Sequence, residues 1–114
     1  MEEKIKLLYM NINYIGYCYA QYFANDYLQK AKKLIPQVEE FASWFLAENQ
    51  FGIEEDLYQA LHKNLLEILN DIVLAVKEND MVLMMDALEN GVCEYLTMFV
   101  PEEYYEGKRV RITG

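Results

Sequence analysis

The chain has 114 residues, 54% of them hydrophobic and 14% aromatic, with 19 acidic against 10 basic residues and a formal net charge of −9. That length suits one domain with a real core, and that apolar share excludes a disordered chain. The acidic excess argues against nucleic acid and anionic membrane surfaces, both of which select for Lys and Arg.

The start, MEEKIK, lacks the basic segment, apolar run and small-residue cleavage site of a secretory signal, so the expected location is the cytoplasm. Leu7 to Asn25 then runs nineteen residues without a charge and holds five tyrosines. Its Asn and Gln residues and its phenols dilute it below what a membrane span needs. Ile5, Leu8, Ile12, Ile15, Tyr19 and Tyr22 recur at steps of three and four, one face of a helix. Leu7, Met10, Tyr14 and Tyr17 fall on nearly the opposite face. A bundle helix ordinarily has one apolar stripe and a charged back, so this second stripe reads as an interface poor in charge and rich in aromatics. Three occupants compete for it: a second copy of the chain, a foreign protein, or the chain's own carboxyl-terminal segment with Val100, Tyr104, Tyr105 and Val110.

The helical phase breaks at Asn25-Asp26. Asn suits the left-handed residue that closes a helix and Asp caps the next one, with Gln29 placed for a capping box. The second stripe is Tyr27, Ala31, Leu34, Val38, Phe41 and Phe45, and Pro36 inside it predicts a kink or break near Lys33. The linker ENQFGIEED follows, with Gly52 ending the second helix and acids at the positive end of the third. Tyr58, Leu61, Leu65, Leu69, Ile72 and Val76 form the third stripe, backed by Lys63, Glu67, Asn70 and Asp71. Asn79-Asp80 repeats the turn, and Gly91 weakens the fourth helix near its middle. Pro101 ends it, and Lys108, Arg109 and Arg111 cluster beyond.

A shift of 54 positions puts Asn25, Asp26, Leu34, Val38, Glu40 and Phe45 on Asn79, Asp80, Leu88, Val92, Glu94 and Phe99, six identities in twenty-one positions. Ile12, Ile15, Tyr19 and Tyr22 fall on Leu66, Leu69, Val73 and Val76. A duplicated helical hairpin is the preferred explanation. The expectation is therefore a single all-α domain over 1–114, an up-down-up-down four-helix bundle of two similar hairpins (3–49 and 55–99), a linker at 50–54 and a short tail at 100–114.

Catalytic and metal signatures are missing. One histidine, His62, has no Glu three residues before it, so a di-metal carboxylate site lacks its ligands, and His62 reads as a flank residue hydrogen-bonded to a neighbour. Cys18 and Cys93 match no metal or redox spacing and read as reduced, half-buried thiols. No phosphate loop or nucleophile with a partnering base is present. Met81, Met84, Met85 and Met98 read as core filler, and Trp44 as a core anchor or the plug at one end of the bundle.

The run NDMVLMMDALENGVCEYLTMF, with the matching NDYLQKAKKLIPQVEEFASWF, resembles a family of small all-helical proteins of anaerobic bacteria, a domain of unknown function. Its hairpins carry an Asp turn followed by an Asp-Leu-Leu-Glu-type helix. The resemblance implies an all-α fold, no known activity and no site residues. A weaker likeness is to the flagellar export chaperones, also short, acidic and helical, but no segment here aligns with their client-binding part.

The functional expectation is a non-enzymatic protein-protein interaction module, a self-associating adaptor or chaperone-like binder that acts through the first helix and the Met-rich fourth as a homodimer or with another protein, without cofactor, metal, nucleic acid or membrane. The interface residues are Leu7, Met10, Tyr14 and Tyr17. The alternative is a small-molecule binder or enzyme with an aromatic cavity between the hairpins, lined by tyrosines such as Tyr19 and Tyr22.

Overall fold

The computed structural model describes residues 1–22 and 25–100. The fold is all-α, with four helices and, among the described residues, no strand. Helix α1 spans Glu2–Tyr22, α2 Tyr27–Ala47 and α3 Glu55–Glu78. Helix α4 is one rod in three parts: α-helical Met81–Met85, a π-helical Asp86–Val92 and α-helical Cys93–Leu96. Each helix packs on the one before it, and α4 also returns to α1, so the four share one core.

The core stripe of α1 is Ile5, Leu8, Tyr9, Ile12, Ile15 and Cys18. Tyr22, expected on that stripe, is instead 71% exposed, and Tyr19 is half-buried with its ring edge-on to Tyr27 at 6.1 Å. The helical period holds as far as Tyr19, but α2 begins only at Tyr27, and no other described helix covers Tyr22. In α2 the expected stripe is buried throughout. The helix runs unbroken through Pro36, so of the kink or break expected near Lys33 the break does not occur. Pro36 and Lys32 both face solvent, so water can satisfy the carbonyl that the proline cannot reach.

The linker is structural as well as connective. Gly52 takes a left-handed φ of 74°, open to glycine without strain. This turn brings Phe51 back onto the carboxyl end of α2, where its ring stacks on Phe45 at 5.3 Å and meets Trp44 at 4.8 Å. Phe45, fully buried, also touches Phe41, Tyr58, Tyr95 and Phe99. Trp44 is thus part of an aromatic plug at one end of the bundle. Such edge and offset contacts add about 0.5–1.5 kcal/mol per pair beyond area burial. The plug's hydroxyls are satisfied by backbone: Tyr58 donates to the Phe45 carbonyl at 2.6 Å and Tyr95 to the Leu61 carbonyl at 2.8 Å.

In α3, Tyr58, Leu65, Ile72 and Ala75 are buried and Leu61, Leu69 and Val76 half-buried. Lys63, Glu67, Asn70 and Asp71 face water as expected, yet so do Leu66, Val73 and Leu74. His62 makes an edge contact with the Tyr58 ring at 6.0 Å. Acidic Glu55 and Asp56 stand in the first turn of α3 and Lys77 in the last, as the helix dipole favours. Asn79 then closes the helix in the left-handed conformation, φ 54°, and Asp80 Oδ1 accepts from the Leu83 N–H at 3.0 Å.

The midpoint weakness expected in α4 takes the form of the π turn. A β-carbon on Gly91 would lie 3.0 Å from Ile68 Cγ2, so the glycine lets α3 approach where α4 widens. Met84 is fully buried and Met98 exposed, while Cys18 and Cys93 are free and both buried. The segment proposed to fold over α1, with Tyr104, Tyr105 and Val110, lies outside the described residues, as does the cluster Lys108, Arg109 and Arg111.

A candidate protein interface on the first helix

The two apolar arcs of α1 have opposite fates. The inward arc is nearly inaccessible, Ile12 wholly so, whereas Leu7, Met10, Tyr14 and Tyr17 are 54, 53, 63 and 54% exposed. All four expected interface residues therefore lie together on one outward arc, and no other described element covers it. Along the helix axis Leu7 to Tyr17 is about 15 Å at 1.5 Å per residue.

The arc's surroundings keep charge off it. Lys6 leans back toward the first turn, 3.4 Å from Glu2 and 3.9 Å from Glu3. Lys4 bonds Glu40 of α2 at 3.1 Å, tying α1 to its neighbour. At the far end Tyr22, freed from the core, sets its ring edge-on to Tyr17 at 6.4 Å and prolongs the aromatic surface. A hydrogen bond with the Cys18 thiol one turn on pushes the Tyr14 phenol up from its ordinary value. Beside Leu7 a shallow depression of about 230 Å³ opens between the start of α1 and the middle of α2, bounded by Met1, Lys4, Gln37, Glu40 and the floor of Ile5 and Phe41.

A polar cluster that sequence reasoning missed lies on the other side of α1. Tyr27 donates to Glu89 Oε2 at 2.9 Å, joining the two hairpins. Burial, then the adjacent Glu89 charge, pushes the Tyr27 phenol far above its usual range. The half-buried Glu89 carboxylate sits against α1 where Gly16 has no side chain: a β-carbon there would be 2.9 Å from either oxygen. The signal was present as an acid among Leu88, Gly91 and Val92, but its partner is 62 residues away.

Among the described residues, no three of His, Cys, Asp and Glu are grouped as a metal ion would need, and no helix is long and apolar enough to cross a membrane. No protein family, curated protein or solved structure matches this chain.

Proposed function

We propose that the protein is a non-enzymatic interaction module that associates with a second copy of itself through the outer face of α1. The observation that supports this is the aligned exposure of Leu7, Met10, Tyr14 and Tyr17 on a helix whose opposite arc already fills the core. Exposed apolar residues scattered singly need no explanation, but a contiguous stripe does. Tyrosine suits such a surface because the ring buries while the hydroxyl reaches water at the rim. Covering the stripe removes several hundred Å² of mostly apolar surface, at about 25 cal/mol per Å², before the cost of association. A standard interface covers about 800 Å² per partner, so this patch fits a weak, micromolar pairing.

Sedimentation equilibrium of the wild type tests the reading. The expected result is a reversible monomer-dimer equilibrium. Replacing Tyr14 and Tyr17 together by Glu puts two carboxylates into the contact and should give a folded monomer with unchanged helix content. A wild type that stays monomeric at high micromolar concentration overturns self-association. Loss of helix in the double variant would instead mean that the chain covers this face itself.

A further inference from the structure

The core residues of α4 recur at steps of four. Met84, Leu88, Val92 and Leu96 are all wholly buried, although an unbroken α-helix of 3.6 residues per turn would leave Leu96 about 120° round from Met84. The π turn over Asp86–Val92 supplies the missing rotation. Its wider turn takes up one residue, worth about 100°, so that the last part of the helix faces the core again. The same sequence holds a second apolar line. Counted at the α-helical period, Gly91, Tyr95 and Met98 fall within about 40° of Met84, yet Met98 is exposed. Two registers therefore fit one helix, and they diverge beyond Leu88.

A tertiary bond favours the wider register. Glu89 is the middle residue of the π turn; it accepts from the Tyr27 hydroxyl at 2.9 Å and rests where Gly16 leaves room. Single π turns inside α-helices are rare and are found frequently at functional sites. We infer that α4 is a two-register helix, in which the Tyr27–Glu89 bond holds the π register against an α register that turns the segment from Cys93 to Val100 by about 100°. In the α register Met98 joins the core line, while Cys93, nine residues from Met84, stands about 180° from it and faces solvent. The device gates a thiol: Cys93 is buried in the observed register and open in the other. The exchange uncovers Leu96 and takes Tyr95 away from the Leu61 carbonyl, which makes the α register the minor one.

Labelling of the native thiols with iodoacetamide, read peptide by peptide by mass spectrometry, tests this in the intact chain. Cys18, buried on α1, does not depend on the register of α4 and is the internal standard. A hydrogen bond to a charged group biases an equilibrium about ten- to a hundredfold. Tyr27→Phe and Glu89→Ala should each therefore label at Cys93 about ten- to a hundredfold faster than the wild type, with Cys18 unchanged and helix content intact. Deletion of Asn90, an exposed residue of the π turn, separates register from general loosening. Removing the extra residue keeps both flanks in place on a continuous α-helix. The deletion variant should fold, and with Tyr27→Phe added its Cys93 should label as slowly as in the wild type.

Cys93 labelling that responds to neither Tyr27→Phe nor Glu89→Ala overturns the inference, as does an acceleration of Cys18 and Cys93 together. A deletion variant that fails to fold overturns it too. So does a combined variant whose Cys93 labels as fast as in Tyr27→Phe alone.

Discussion

At the first turn Asp26 stands before α2 without a capping bond from its side chain; its Oδ1 is 3.5 Å from Lys30 Nζ and accepts no hydrogen bond. At the second, Asp80 stands before α4 and accepts from the Leu83 amide. The two hairpins thus begin their second helices with the same residue type in different roles. They diverge further along. Leu34 and Leu88, Val38 and Val92, and Phe41 and Tyr95 are all buried, as the 54-residue shift requires. Ile12, however, is buried where its counterpart Leu66 is 47% exposed, and Tyr19 is half-buried where Val73 is 64% exposed. The similarity therefore holds in the middle of each second helix, at Leu34, Val38 and Phe41 and their counterparts, and fails on the first helices. Those first helices, α1 and α3, both carry apolar residues on more than one arc, and which arc turns inward is decided by the neighbour each acquires.

The largest expected difference between the hairpins is at Phe45 and Phe99, an identity of the shift. Phe45 is fully buried at the centre of the aromatic plug, whereas Phe99 is half-buried at its edge. Phe45→Ala should cost about 3–5 kcal/mol, transfer plus cavity. Phe99→Ala should cost about 1–2 kcal/mol, as partial burial of the ring implies. Urea unfolding followed by circular dichroism measures both. Equal losses would mean that the two positions are equivalent after all.

What was legible in the sequence follows from these contrasts. Helix period, the turn at Asn79-Asp80 and the outward stripe of α1 are local properties, and residues such as Met10 and Tyr14 announced them by spacing alone. The wrong placement of Tyr22 has a different origin: its burial depends on where α2 starts, which a periodicity cannot say. The π turn and the Tyr27–Glu89 bond were also out of reach. A local widening around Gly91 depends on how near Ile68 comes, and an acid on an apolar arc is explained only by a distant phenol and a glycine across the interface.

The inter-hairpin bond gives a pH prediction. The Tyr27 phenol is raised in the folded state, chiefly by burial and then by Glu89, while unfolded tyrosine titrates near 10. Below pH 10 both states hold the proton and stability is unaffected by this group. Above it the unfolded chain releases the proton and the folded one keeps it, so stability falls by about 1.4 kcal/mol per pH unit. Tyr58 and Tyr95, also raised by burial, add to the fall. Tyr27→Phe should therefore unfold along a shallower slope between pH 10 and 11 than the wild type. An unchanged slope would show that the Tyr27 phenol is not protected in the fold.

The smallest effects return to the turns and separate them most directly. Asp80→Ala removes a hydrogen bond to the Leu83 amide and should cost about 1 kcal/mol, the usual worth of a capping side chain. Asp26→Ala removes no such bond. It takes away only a partly exposed pair with Lys30 one turn on, for which a few tenths of a kcal/mol is typical. Its carboxylate oxygen is also relieved of a buried position without a hydrogen-bond donor, which offsets part of that loss. Two denaturant titrations with unchanged m-values suffice, since the substitutions are far apart in sequence and each acts at its own turn. A loss at Asp26 as large as at Asp80 would mean that Asp26 caps α2 in solution, and the two turns would then be one device used twice.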